Sequence, residues 1–174
     1  MTLLTYFETL FLISMEIVKK IVLSGHFGVG KSSLVKRFIQ QKFSDQYLTT
    51  IGVKVDKKVL DVEGVQVKLM IWDIAGESNT MKIPKKYLTG AHGVLYVFDL
   101  SREETYVNIQ HDLFEINKTL RDVPSVVLGN KSDLVEHDFI ENLKRDLSID
   151  FSPTSAKTGD YVEESFLRLA KELI

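Results

Sequence analysis

The chain has 174 residues, 44% of them apolar, with 3 Pro and no Cys. That is one domain's worth of sequence, and its apolar content excludes a disordered chain. A net charge of −2 excludes a general attraction for nucleic acid, and the lack of cysteine excludes disulfide and thiol chemistry, in keeping with a cytoplasmic protein.

Residues 1–14 are apolar almost throughout (Leu3, Leu4, Phe7, Leu10, Phe11, Leu12), with Thr5, Glu8 and Thr9 as a narrow polar stripe. The run is too short to span a bilayer as a helix and has no basic region for a signal peptide. Thr2 excludes the usual myristoylation signal. Three readings stand: sequence upstream of a true start at Met15, an amphipathic helix packed on the domain or a partner, or a membrane-surface anchor. The absence of Lys and Arg weighs against the anchor. Residues 1–15 are set apart as an extension and 16–174 as one α/β domain, with membrane contact open only to residues 1–14.

A β-branched apolar run (Ile17, Val18, Ile21, Val22, Leu23) predicts a first strand, and Leu34, Val35, Phe38 and Ile39 predict a helix. Between them lies Gly25-His26-Phe27-Gly28-Val29-Gly30-Lys31-Ser32, with the G-x-x-x-x-G-K-[ST] spacing of a phosphate-binding loop. Glycines allow close backbone approach to phosphate oxygens, Lys31 can neutralise β and γ phosphate charge, and the Ser32 hydroxyl can reach Mg²⁺.

Next, Thr50 lies in a connection able to reach a γ-phosphate and its metal. Val53-Val55-Lys57-Val59 and Val65-Val67-Leu69-Ile71, joined across Val62-Glu63-Gly64, predict an antiparallel hairpin. It ends at Asp73, placed to hold Mg²⁺ through water, and Gly76 can offer its N–H to a γ-phosphate. Lys82, Lys85 and Lys86 form a basic cluster, read as a solvated helix face rather than a docking site. His26 and His92 have no evident metal-ligand spacing.

Ser101-x-x-Glu104 reads as a capping box opening a helix with Ile109, Leu113, Ile116 and Leu120 on its apolar face. Val123 to Leu128 predicts a buried strand running into Asn130-Lys131-Ser132-Asp133. A carboxylate such as Asp133 can accept from N1–H and the exocyclic amine of guanine, a donor pair adenine lacks. Thr154-Ser155-Ala156-Lys157 follows a short strand, and the N–H groups of Ser155 and Ala156 can donate to guanine O6. A compact fourth helix is expected between Asn130 and Ser155, and a last helix carries Val162, Phe166, Leu169 and Leu173. Strand–helix alternation with one hairpin predicts a mostly parallel sheet of about six strands with helices on both faces and ligands at the carboxyl ends of the strands.

In this order the motifs resemble the Ras superfamily of small GTPases over Glu16 to Ile174. Ile51-Gly52-Val53, Lys68 to Asp73 and Gly90-Ala91-His92-Gly93 are most similar to the Rab branch. The resemblance implies a P-loop G domain and a monomeric, Mg²⁺-dependent GTP/GDP switch that hydrolyses GTP; the alternative is a GTP-binding module with negligible hydrolysis. It assigns the nucleotide to Gly25, Phe27, Gly28, Val29, Gly30, Lys31, Ser32, Ser33, Phe43, Thr50, Gly76, Asn130, Lys131, Asp133, Ser155, Ala156 and Lys157. The metal falls to Ser32, Thr50 and Asp73, and catalysis to Lys31, Thr50, Gly76 and Glu77. Phe43 would place an aromatic edge against the guanine. Effectors and regulators would engage the switch regions near Ile51, Trp72 and Tyr87, although Val55 stands where Rabs usually have an aromatic. Glu77 replaces the usual Gln and Phe27 replaces a very small residue, so slow hydrolysis is expected. Rab proteins normally continue into a prenylated tail, absent from these 174 residues: either the chain is trimmed or this route of anchoring is not used.

Overall fold

The computed structural model describes residues 16–43, 50, 52–74, 84–120 and 123–174. The expectations for residues 1–14, Ile51, Gly76, Glu77 and Lys82 lie outside the described residues. Strand β1 (Glu16–Ser24) passes from an exposed start to four buried residues, Ile21 to Ser24. It occupies a central place in a six-stranded sheet, between the strands that follow it in space as β3 (Val65–Ile74) and β4 (Gly93–Asp99). Helix α1 (Lys31–Gln40) turns Leu34, Val35 and Phe38 inward and stops where Gln41 takes a left-handed conformation, its N–H bonded to Arg37 O.

β2 (Val53–Val62) and β3 are joined by the expected tight turn, with Glu63 at φ 54° and Gly64 at φ 87°. Two positive φ values give the turn hand that suits a twisted antiparallel pair, and the Asp61 carboxylate accepts the Gly64 N–H at 3.0 Å. The other four strand pairings are parallel, in the order β2-β3-β1-β4-β5-β6, with β5 at Ser125–Asn130 and β6 at Ser152–Pro153. The remaining helices are a single turn α2 (Lys85–Leu88), α3 (Ile109–Leu120), α4 (His137–Leu147) and α5 (Val162–Glu172). α4 is the compact fourth helix that the spacing calls for.

β4 is buried along its whole length, and its alternation divides the core. Leu95 and Val97 face α1 and α5, where Phe38 stacks on Phe166 with centroids 3.9 Å apart. Val94, Tyr96 and Phe98 face α3 and α4, where Tyr106 and Phe151 pack edge-on against Phe98.

One local expectation fails. Ser101 does not cap the helix carrying Ile109; a 3₁₀ turn at Glu103–Thr105 intervenes and α3 begins at Ile109. The Ser101 N–H and hydroxyl both donate to Asp99 Oδ1, at 3.0 and 2.7 Å, so a buried carboxylate outcompetes the helix end for this side chain. The apolar face itself is as expected: Ile109 and Ile116 are buried, with Leu113 and Leu120 packed against them.

Candidate nucleotide-binding site

The loop after β1 is shaped by two glycines that no other residue could replace. Gly25 has φ +139°, and a Cβ there would sit 2.0 Å from the Val97 carbonyl oxygen of β4. Gly30 has φ +98°, and a Cβ would sit 2.3 Å from Asn130 Nδ2. Lys31 opens α1 and folds back over the loop, donating from Nζ to the carbonyls of Gly25 at 2.7 Å and His26 at 2.9 Å. Burial lowers its pKa to about 8, against the opposing charge of Asp73. No acidic residue and no side-chain cap occupies the first turn of α1, so its N–H groups are open to an anion.

Beside the loop, Ser32 donates its hydroxyl to Asp73 Oδ2. With that hydrogen spent, the 2.7 Å contact between Ser32 Oγ and Thr50 Oγ1 must have Thr50 as donor. Asp73 is 1% exposed at the end of β3, and its buried Oδ1 has no hydrogen-bond partner among the described residues. Burial raises the Asp73 pKa, opposed by the Ser32 bond and by Lys31 and Lys54. Two hydroxyls and a carboxylate with an unsatisfied oxygen are hard ligands, and they fit a magnesium ion.

Across the sheet, Asn130 at the end of β5 donates from Nδ2 to Val29 O at 2.8 Å and accepts the Ala156 N–H at 3.2 Å. Lys131 adopts φ 64° and places Nζ 2.6 Å from Asp99 Oδ2. Asp133 accepts the Ser155 hydroxyl at 2.6 Å, and Ser155 Oγ in turn accepts the Thr158 N–H at 3.1 Å. The two amides expected to face the base have partners within the chain: the Ser155 N–H donates to Asp160 O at 3.1 Å and the Ala156 N–H to Asn130 Oδ1 at 3.2 Å. Phe43, expected at the guanine, is half-buried against the core on the α1 side.

Two residues outside the motifs also reach this region. Arg37 on α1 donates from Nε to Ala156 O at 2.8 Å and from Nη2 to Lys157 O, tying the base loop to the phosphate helix. Asp99 ends β4, is fully buried, and receives Lys131, Ser101 and Arg102. Burial would raise its pKa, but the bonds from Lys131 and Ser101 overcome this and hold it below the usual carboxylate range. A carboxylate at the carboxyl end of a buried parallel strand is a readable signal. Arg37 has none, because its reach depends on how α1 lies against the base loop.

Trp72 and Tyr87 lie together, ring centroids 6.5 Å apart, and Val55 is the register partner of Trp72 across the hairpin. Lys20 Nζ sits 4.0 Å over the Trp72 ring. Lys85 and Lys86 are exposed, as a solvated face requires. His92 bridges to β1, accepting Lys20 N–H at Nδ1 at 3.0 Å.

Every one of these motif ends converges on the carboxyl edge of the parallel strands, the architecture of a P-loop G domain. The family described as Ras family matches residues 20–174. Ras-related protein SEC4 of the yeast Saccharomyces cerevisiae is 40% identical over 163 residues, covering 91% of this chain and 76% of that protein. The chain belongs to the Ras family, and within the superfamily to the Rab branch. It is thus a GTP-binding small GTPase. Among the described residues, no helix is long and apolar enough to cross a membrane.

Proposed function

We propose that the protein is a Mg²⁺-dependent GTP/GDP switch whose hydrolysis is slow. The observation that carries this is the Ser32–Thr50–Asp73 cluster beside Lys31, in which Asp73 Oδ1 is buried without a hydrogen-bond partner among the described residues. On this reading Lys31 leaves the Gly25 and His26 carbonyls for the β and γ phosphates, and the α1 N-terminal amides hold the remaining oxygens. Ser32, Thr50 and Asp73 would hold the metal, which would supply positive charge to offset that of the phosphates. Asp133 accepts from the guanine edge, and the Ala156 N–H exchanges Asn130 Oδ1 for guanine O6.

Thr50 and Gly76 order around a γ-phosphate and relax without it, which makes the state readable by effectors and regulators near Ile51, Trp72 and Tyr87. The half-buried Trp72–Tyr87 pair with its attendant Lys20 supports that placement. The domain acts as a monomer, and residues 1–14 are a candidate segment for membrane contact.

Two residues make the chemistry slow. Glu77 can accept a hydrogen bond from water but carries charge that the γ-phosphate repels, where a neutral amide would also donate. Phe27 is 40% exposed on the phosphate loop, and its ring would crowd a catalytic group or an arginine brought up to the γ-phosphate. The same two residues favour the second reading, a binding module that scarcely hydrolyses. Single-turnover hydrolysis of loaded GTP, with the retained nucleotide identified, decides between them. Retention of ATP in place of guanine nucleotides would overturn both.

A further inference from the structure

Four carbonyls of the phosphate loop are held by three side chains. Lys31 takes those of Gly25 and His26, and Asn130 takes that of Val29. The Phe27 carbonyl is taken from outside the motifs, by Arg102 Nη2 at 2.9 Å. A trans peptide is planar, so fixing the Phe27 C=O fixes the Gly28 N–H in the opposite direction, away from Arg102.

Arg102 itself is rigidly launched. Its N–H bonds to Asp99 O at 3.0 Å, and its carbonyl accepts the Thr105 N–H at 3.0 Å and the Thr105 hydroxyl at 2.7 Å. Its Nε donates to Asp99 Oδ2 at 2.9 Å, the same oxygen that Lys131 Nζ meets at 2.6 Å. Asp99 has no exposed surface, so this shared carboxylate cannot exchange its partners for water. The guanidinium fork therefore spans two fixed points, a buried anion and a loop carbonyl. Lysine has no such planar fork.

We propose that Arg102 is a positioning residue for the nucleotide: anchored on Asp99, it aims the Gly28 N–H into the phosphate cradle and couples the phosphate loop to Lys131. The inference rests on the nucleotide-site reading above. Because Arg102 is about one-third exposed, its effect is a matter of retention rate and not of fold.

The test uses the full chain loaded with GDP. Dissociation of a fluorescent GDP and the Gly28 amide resonance are measured for wild type, Arg102→Ala and Arg102→Lys. The expected result is GDP release about three- to tenfold faster in both variants, the size of one lost hydrogen bond. The Gly28 amide should also shift more than that of Gly30, whose preceding carbonyl Asn130 still holds. Arg102→Lys keeps a cation beside Asp99, so its agreement with Arg102→Ala separates loop aiming from loss of the ion pair. Unchanged release overturns the proposal, and so does faster release with an unmoved Gly28 resonance, which would make Arg102 a brace for the β4 turn alone. A wild-type chain that fails to retain GDP overturns the nucleotide-site reading itself, and this inference with it.

Discussion

The Nδ2 of Asn130 donates to the Val29 carbonyl at 2.8 Å, joining the end of β5 to the middle of the phosphate loop. The same side chain accepts the Ala156 N–H, so one buried amide registers three segments against each other. Its position is also why residue 30 must lack a side chain, since a Cβ there would meet Nδ2 at 2.3 Å. A base site and a phosphate site built this way cannot shift independently.

Base selectivity should follow from Asp133, whose exposed carboxylate is oriented by the Ser155 hydroxyl. Asp133→Asn replaces an acceptor with an amide that can donate to the oxygen xanthine carries in place of guanine's amine. GTP binding should weaken roughly ten- to a hundredfold while XTP binding improves, the range for hydrogen bonds to a charged group. Competition between the two nucleotides for one fluorescent probe measures this, and unaltered preference would remove Asp133 from the base site.

Metal dependence should reside in the Ser32–Thr50–Asp73 cluster. Ser32→Ala removes a ligand and leaves Asp73 with neither oxygen bonded by that hydroxyl. Nucleotide release from the variant should be fast already in Mg²⁺, so that added EDTA accelerates it about tenfold less than it accelerates wild type. Equal EDTA sensitivity in the two proteins would place the ion elsewhere.

Catalysis should respond to a paired change on the phosphate loop and after β3. Phe27→Gly with Glu77→Gln should raise single-turnover GTP hydrolysis by roughly tenfold or more without altering GDP affinity. Wild-type hydrolysis equal to that of the double variant, alone and with an arginine-supplying activator, would show that neither residue restrains the reaction.

Acid stability should depend on Asp99, whose folded pKa lies below the usual range because Lys131 and Ser101 offset the penalty of burial. A depressed carboxylate contributes stability that is complete above its unfolded value, about pH 4, and is lost as pH falls through the folded value. Wild type should therefore lose unfolding free energy between about pH 5 and about pH 3 more steeply than Asp99→Asn. Denaturant titrations at the two pH values provide the comparison. Parallel losses would mean that Asp99 titrates alike in the folded and unfolded chains.

Residues close in sequence were legible where the physics is local. The β2–β3 turn is an example: Gly64 accepts positive φ without strain between two alternating strands, and the structure has the turn there. The helix between Asn130 and Ser155 was legible from the length of chain between two site segments. Ser101 misled for a reason that is not local. Its capping signature is intact, but Asp99, which the Lys131 and Arg102 side chains also reach, draws both its donors away.

What the amino-acid sequence determined by itself was the alternation of strand and helix, the phosphate loop and the order of the site segments, because turn chemistry and apolar period act over a few residues. What only the tertiary structure decided was which groups in those segments pair with one another. Arg102 and Phe27 are 75 residues apart and Arg37 and Ala156 are 119 apart. Such pairings depend on the strand order that brings β4, β5 and β6 beside β1, and on buried polar groups that must find partners once water is excluded.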